Sequence, residues 1–122
     1  MLQTLNYQKE IQIKLTKNLL DMIVLQILNH QPMHGYQIIT KTRKIFGIYF
    51  GPSTVYPLLA TLEKKGYLNS TWDIATVKPR KIFTITPTGK NILKFTENSL
   101  RRHLQNHEHP QKQNTTHSKS QP

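Results

Sequence analysis

The sequence predicts a mainly α fold with one small β-hairpin, and three observations predict it. Apolar residues recur at three- and four-residue spacing in separate segments between Thr16 and Leu104, as they do in helices with one buried side. Two short runs, Tyr67-Leu68-Asn69-Ser70-Thr71-Trp72 and Lys81-Ile82-Phe83-Thr84-Ile85-Thr86, are instead β-branched and aromatic with period-two alternation, which suits strands. The 122 residues fit one small domain with a tail.

Composition narrows the function classes. Seventeen Lys and Arg against six Asp and Glu give a formal charge of +11. An excess of that size favours a polyanionic partner, nucleic acid before an anionic membrane. Cysteine is absent, which excludes disulfides, Cys-based zinc sites and thiol chemistry and fits a reducing, cytoplasmic setting. Residues 1–10 show no basic-then-apolar signal. The longest apolar run, Leu19 to Leu28, carries Asp21 and Gln26 and is too short to span a bilayer. The six carboxylates are scattered, without a Ser-His-Asp, phosphate-loop or paired-acid arrangement. No enzymatic activity and no cofactor are expected.

In order along the chain, residues 1–15 form an N-terminal extension with two readings. Ile11, Ile13 and Leu15 alternate as in a strand, whereas Tyr7, Ile11 and Leu15 line one side of a helix leading into the next segment. A helical extension is the expectation. From Thr16, a candidate cap, to His30, the spacing of Leu20, Ile23, Val24, Ile27 and Leu28 predicts a buried helix that ends before Pro32. Gln31 to Gly35 reads as a turn. A second helix spans about Tyr36 to Phe46, offering Ile38, Ile39, Thr42, Ile45 and Phe46 to the core, with Lys41, Arg43 and Lys44 outside. Ile48, Tyr49 and Phe50 in the following connection are expected to pack beneath the helices.

The next helix has both ends marked. Ser53 or Thr54 can cap its start, Pro57 belongs in a first turn, and Gly66 after Lys64 and Lys65 closes its end. Val55, Leu58, Leu59 and Leu62 form an apolar stripe, while Ser53, Thr54, Tyr56, Thr61 and Lys64 occupy the opposite side. Those groups hydrogen-bond phosphates or base edges. The two strands follow, joined by a basic loop from Asp73 to Arg80, with Trp72 and Phe83 expected in the core beneath this helix. Thr86 then caps a last helix that has Pro87 in its first position. Leu93, Thr96, Leu100 and Leu104 form its spine, widened by Ile92 and Phe95. With nothing left in the chain to cover this side, Ile92, Leu93, Phe95, Leu100 and Leu104 are expected to join two subunits. Beyond Asn106 the chain is polar without apolar periodicity, and residues 107–122 are expected to be a disordered tail.

Helix, turn, helix, recognition helix, hairpin and final helix make the winged helix-turn-helix plan over residues 16–86, with a dimerisation helix over 87–106. Five stretches then carry a resemblance: Leu20-Asp21-Met22-Ile23-Val24-Leu25; Pro32-Met33-His34-Gly35-Tyr36; Pro52-Ser53-Thr54-Val55-Tyr56-Pro57-Leu58-Leu59 with Leu62-Glu63-Lys64-Lys65-Gly66; Pro79-Arg80-Lys81; and Thr86-Pro87-Thr88-Gly89. Together, in this order and spacing, they resemble the PadR family of transcriptional regulators from about residue 17 to residue 100. The resemblance implies a homodimeric DNA-binding regulator, usually a repressor, released by a small molecule or another signal. It places Gly35, Tyr36 and Tyr56 at the DNA surface and brings Lys78, Arg80 and Lys81 of the wing toward the minor groove. The chain is similar to the short subfamily with one terminal helix. Some short members hold flat aromatic compounds with a tryptophan on that helix, but here Trp72 falls in the wing strand.

The expected DNA-binding residues are therefore Gly35, Tyr36, Lys41, Ser53, Thr54, Tyr56, Thr61, Lys64, Lys78, Arg80 and Lys81. The recognition-helix side chains are short, so most contacts should go to phosphate. A basic loop between strands suits a narrow minor groove, where the negative potential is enhanced. His103 and His107, four residues apart with His109, His117 and Glu108 nearby, are weaker as metal ligands than as surface residues, and no metal site is expected. His30 and His34 read as turn hydrogen-bonders. The expected partners are double-stranded DNA and a second copy on a pseudo-palindromic operator in the nucleoid, with any effector unknown. A sequence-neutral DNA coater and a protein-interaction module are the alternatives.

Overall fold

The computed structural model describes residues 1–108, with side chains described through Gln105. Five helices and a three-stranded antiparallel sheet follow the order α1 (Leu2–Asn18), α2 (Leu20–His30), β1 (Met33–His34), α3 (Gly35–Phe46), α4 (Pro52–Lys64), β2 (Leu68–Asp73), β3 (Arg80–Ile85) and α5 (Pro87–Glu108). The sheet order is β1-β3-β2. This is the winged helix-turn-helix arrangement expected from the sequence, with one strand more.

The helices form where the apolar spacing places them. Val24 of α2, Ile38 of α3, and Val55 and Leu59 of α4 are fully buried against one another, with Leu68 and Phe83 of the sheet closing the core. α5 lies on α2 through the buried Leu93, and the Gln26 amide donates to the Glu97 carboxylate at 2.8 Å across that pair. Leu93, expected in a subunit contact, is therefore covered within its own chain, with Ile92 half-buried beside it. The hairpin register sets Leu68 opposite Ile85, Ser70 opposite Phe83 and Trp72 opposite Lys81. Alternation therefore puts Leu68, Ser70 and Trp72 on one side of β2.

Several local expectations change. Residues 1–15 are helical, as expected, but α1 continues to Asn18 and meets α2 at Leu19, whose backbone opens to φ −100° and ψ 9°. Thr16 is consequently no cap. It lies inside α1, buried, and its hydroxyl donates to the Gln12 carbonyl at 2.8 Å. Back-bonding of this kind accompanies helix bending, here three residues before the joint. The Gln31–Gly35 turn contains a two-residue strand, with Met33 opposite Phe83 and His34 opposite Ile82. A strand of two residues carries no readable alternation. Of the α3 residues expected in the core, Ile38, Ile39 and Thr42 are buried, Phe46 is half-buried and Ile45 is exposed. In the connection after it Phe50 is buried, Ile48 half-buried and Tyr49 exposed.

The ends of α4 also differ. Gly51 is the N-cap residue, without a side-chain cap bond, and Pro52 takes the first helical position. Neither Ser53 nor Thr54 caps. Pro57 falls in the second turn, where its missing N–H removes one rung of the ladder. At the other end Gly66 adopts φ 82°, with Tyr67 N–H donating to the Leu62 carbonyl and Gly66 N–H to that of Glu63. That pair of bonds is a Schellman closure, and its left-handed residue favours glycine. For α5 the expected cap holds: Thr86 Oγ1 accepts from Gly89 N–H at 3.0 Å, and Pro87 opens the helix. The expected tail disorder falls on residues that, from His109 onward, lie outside the described ones, and the backbone of 107–108 continues α5.

Candidate nucleic-acid interface

The first turn of α3, the outer side of α4 and the two wing strands enclose an open groove of about 750 Å³. His34, Gly35, Tyr36, Tyr56, Trp72 and Arg80 are among its walls. Its geometry starts at a close approach. A Cβ on Gly35 would overlap the Tyr56 ring, with Cζ at 2.7 Å and the hydroxyl at 2.8 Å. Glycine at 35 thus lets the phenol of α4 lie across the start of α3, leaving Tyr56 about half exposed beside the exposed Tyr36.

His34 fixes the start of α3 through a capping box. Its Nδ1 accepts from Gln37 N–H at 3.3 Å, and the Gln37 side-chain oxygen accepts from His34 N–H at 3.2 Å. Across the groove, Arg80 Nη1 lies 3.0 Å from His34 Nε2. A guanidinium only donates, and a neutral imidazole has one acceptor nitrogen. The ring can therefore serve the cap or Arg80, one at a time, so Arg80 is held loosely. Burial first, and then the Arg80 charge, push the His34 pKa below its usual range.

Glu63 ties α4 to the wing. It accepts a hydrogen bond from the Ser70 hydroxyl of β2 and pairs with Lys81 Nζ of β3 at 3.5 Å. The Lys81 ammonium also sits 5.7 Å from the centroid of Phe83. Lys81 is thus tied to α4 by Glu63, whereas Lys78 is exposed in the loop.

Not all the expected residues meet here. Gly35, Tyr36, Tyr56, Arg80 and Lys81 line the groove, and Ser53, Thr61 and Lys64 are exposed on α4, with Thr54 half-buried. The Thr61 hydroxyl donates to the Pro57 carbonyl at 3.0 Å. Lys41 stands apart, lining a second groove between α2, α3 and α5 with Ile45 and Glu97. His34 is the turn hydrogen-bonder expected, but its place in the groove beside Arg80, like that of Glu63, is not read from the sequence. Trp72, expected in the core, is 63 % exposed. Phe83, by contrast, is buried as expected. Trp72 shares the inward side of β2 with Leu68, but it lies toward the tip of the hairpin. Among the described residues no group of three His, Cys, Asp or Glu converges, and no helix is long and apolar enough to cross a membrane.

Comparison with known proteins bears on this surface. A model of the PadR-like family of transcriptional regulators matches residues 24–94. A PadR family regulator from Eggerthella lenta is 30% identical, with a TM-score of 0.73 over 86% of this chain and 92% of its own. A PadR-like transcription factor from Bacteroides fragilis is 26% identical, with a TM-score of 0.70 over 82% of this chain and 97% of its own. An uncharacterised 37.1 kDa protein in a transposon of Streptomyces fradiae is 32% identical over 81 residues, and the chain spans only 23% of its length.

Proposed function

The chain belongs to the PadR-like family of transcriptional regulators, and from that premise we propose that it is a repressor binding a pseudo-palindromic operator as a homodimer. α4 enters the major groove with Ser53, Thr54 and Tyr56 leading. Arg80 leaves His34 for a phosphate, and Lys78 follows the flanking minor groove. The observation that carries the reading is the shared surface of α4, the start of α3 and the wing. There Tyr36, Tyr56 and Arg80 stand together in a chain of net charge +11.

The dimer is supported by uncovered apolar side chains. Leu5, Ile11 and Leu15 of α1 are exposed, as are Phe95, Leu100 and Leu104 of α5. Exposed apolar surface on this scale marks an association site. Two copies joined there would present their recognition helices to half-sites about 34–36 Å apart, or a multiple of that. The protein would act in the cytoplasm, on the nucleoid.

Selection of bound duplexes from a random-sequence pool, at physiological salt, tests this. The expected outcome is an enriched inverted repeat, bound at least about a thousandfold more tightly than bulk DNA. Tyr56→Ala and Arg80→Ala should lose that preference. A pool that yields no motif would remove the claim of sequence-specific regulation.

A further inference from the structure

We propose that Trp72 is a DNA-backbone contact, its indole lying against deoxyribose and its Nε1–H directed to a phosphate beside the one held by Arg80. The inference rests on the DNA-binding reading above and adds a residue that neither family motifs nor periodicity singled out.

Tryptophan is among the most buried side chains on average, yet Trp72 leaves 63 % of its surface uncovered. The strand explains how. Leu68, Ser70 and Trp72 point to the same side of β2, and the first two are covered by the core and by Glu63 of α4. One repeat farther toward the hairpin tip, the indole is left exposed in the groove wall. Its cross-strand neighbour is Lys81.

The chemistry around it selects the occupant. Arg80 supplies a guanidinium, Tyr36 and Tyr56 supply hydroxyls, and Trp72 supplies an apolar plate with one donor at its edge. A sugar–phosphate chain alternates a sugar ring with a singly charged phosphodiester whose oxygens accept hydrogen bonds, which matches a plate bordered by donors. A purely apolar partner would leave the Arg80 charge desolvated. A free anion would leave the indole unused. Duplex DNA satisfies both, and the net charge of the chain draws it in.

Trp72 is the only tryptophan, so its emission reports this one position. A dye-labelled mixed-sequence duplex at low salt is titrated with the full chain. Dye anisotropy follows binding, while tryptophan emission and its quenching by acrylamide follow the contact. The expected result is a drop in acrylamide accessibility in step with the anisotropy. Trp72→Ala should bind on the order of tenfold more weakly, Trp72→Phe should retain most of the affinity, and both should melt cooperatively. Anisotropy that rises while Trp72 stays equally accessible, or full affinity in Trp72→Ala, overturns the assignment and leaves the DNA reading standing. No rise in anisotropy overturns both.

Discussion

At the scale of single residues, His34 concentrates most of the chemistry. Its backbone pairs with Ile82 in the sheet, its Nδ1 caps α3, and its Nε2 faces Arg80. Either of the two ring bonds needs a neutral imidazole, which has one acceptor nitrogen to give, and burial and the Arg80 charge hold the pKa below its usual range. The sign follows from linkage. The unfolded chain, with a histidine pKa of about 6.5, binds the proton more readily than the folded one. The stabilisation is therefore complete above that value and lost as pH falls through the lower folded pKa. Thermal melts across this range should show the wild type losing stability toward acid more steeply than His34→Asn, whose side chain can also cap. Equal slopes would remove His34 from the pH response. The turn hydrogen bond was legible in the sequence, but a histidine between Met33 and Gly35 carries no sign of Arg80, 46 residues away. Gly35 is legible only as a motif member, and Tyr56 as one polar group on the outer side of its helix. The reason they go together, a ring lying where a Cβ would be, is a three-dimensional fact.

Among the elements, α4 shows which parts of a sequence determine structure. Its stripe of Val55, Leu58, Leu59 and Leu62 is readable from spacing alone, because burial at helical period is a strong constraint. Val55, Leu59 and Leu62 are fully or almost fully buried, and Leu58, at the edge of the stripe, is half-buried. Its cap was misread, because Ser53 and Thr54 have the right chemistry but Gly51 and Pro52 open the helix earlier. Trp72 failed for a related reason. Alternation gave its side of the strand, but whether that side is covered at this position depends on packing. Energetically the two kinds of contact on α4 are unequal. Leu59→Ala removes fully buried methyl groups and should cost about 2–5 kcal/mol. Glu63→Gln breaks the pair with Lys81, whose side chains are 33% and 42% exposed, while keeping an acceptor for Ser70. Its cost should stay below about 1 kcal/mol. Urea unfolding of both variants separates them, and a Glu63→Gln penalty as large as that of Leu59→Ala would mean that the wing is held by the ion pair rather than by the core.

For the whole molecule, charge and apolar surface make one joint prediction. The two terminal helices leave Leu5, Leu15, Phe95 and Leu104 exposed, and the proposed dimer covers them while doubling the number of basic groups on the DNA. Neutralising about six to ten phosphates per dimer implies a fall of roughly 10³–10⁵ in affinity between about 50 and 200 mM salt. The slope of log affinity against log salt counts those phosphates, about 0.9 for each contact on a duplex. A subunit binding alone contributes one wing and one recognition helix, so its slope should be near half. Leu104→Asp places a carboxylate in the proposed subunit contact, at a side chain that is two-thirds exposed in the single chain, so the fold of each copy should persist. Sedimentation should then show the wild type as a dimer and the variant as a monomer with unchanged far-UV circular dichroism. The salt slope of the variant should fall toward half. A variant that stays dimeric would move the contact to α1 or elsewhere. A monomeric variant with an undiminished slope would show that each copy meets DNA independently, and the inverted-repeat requirement would go with it.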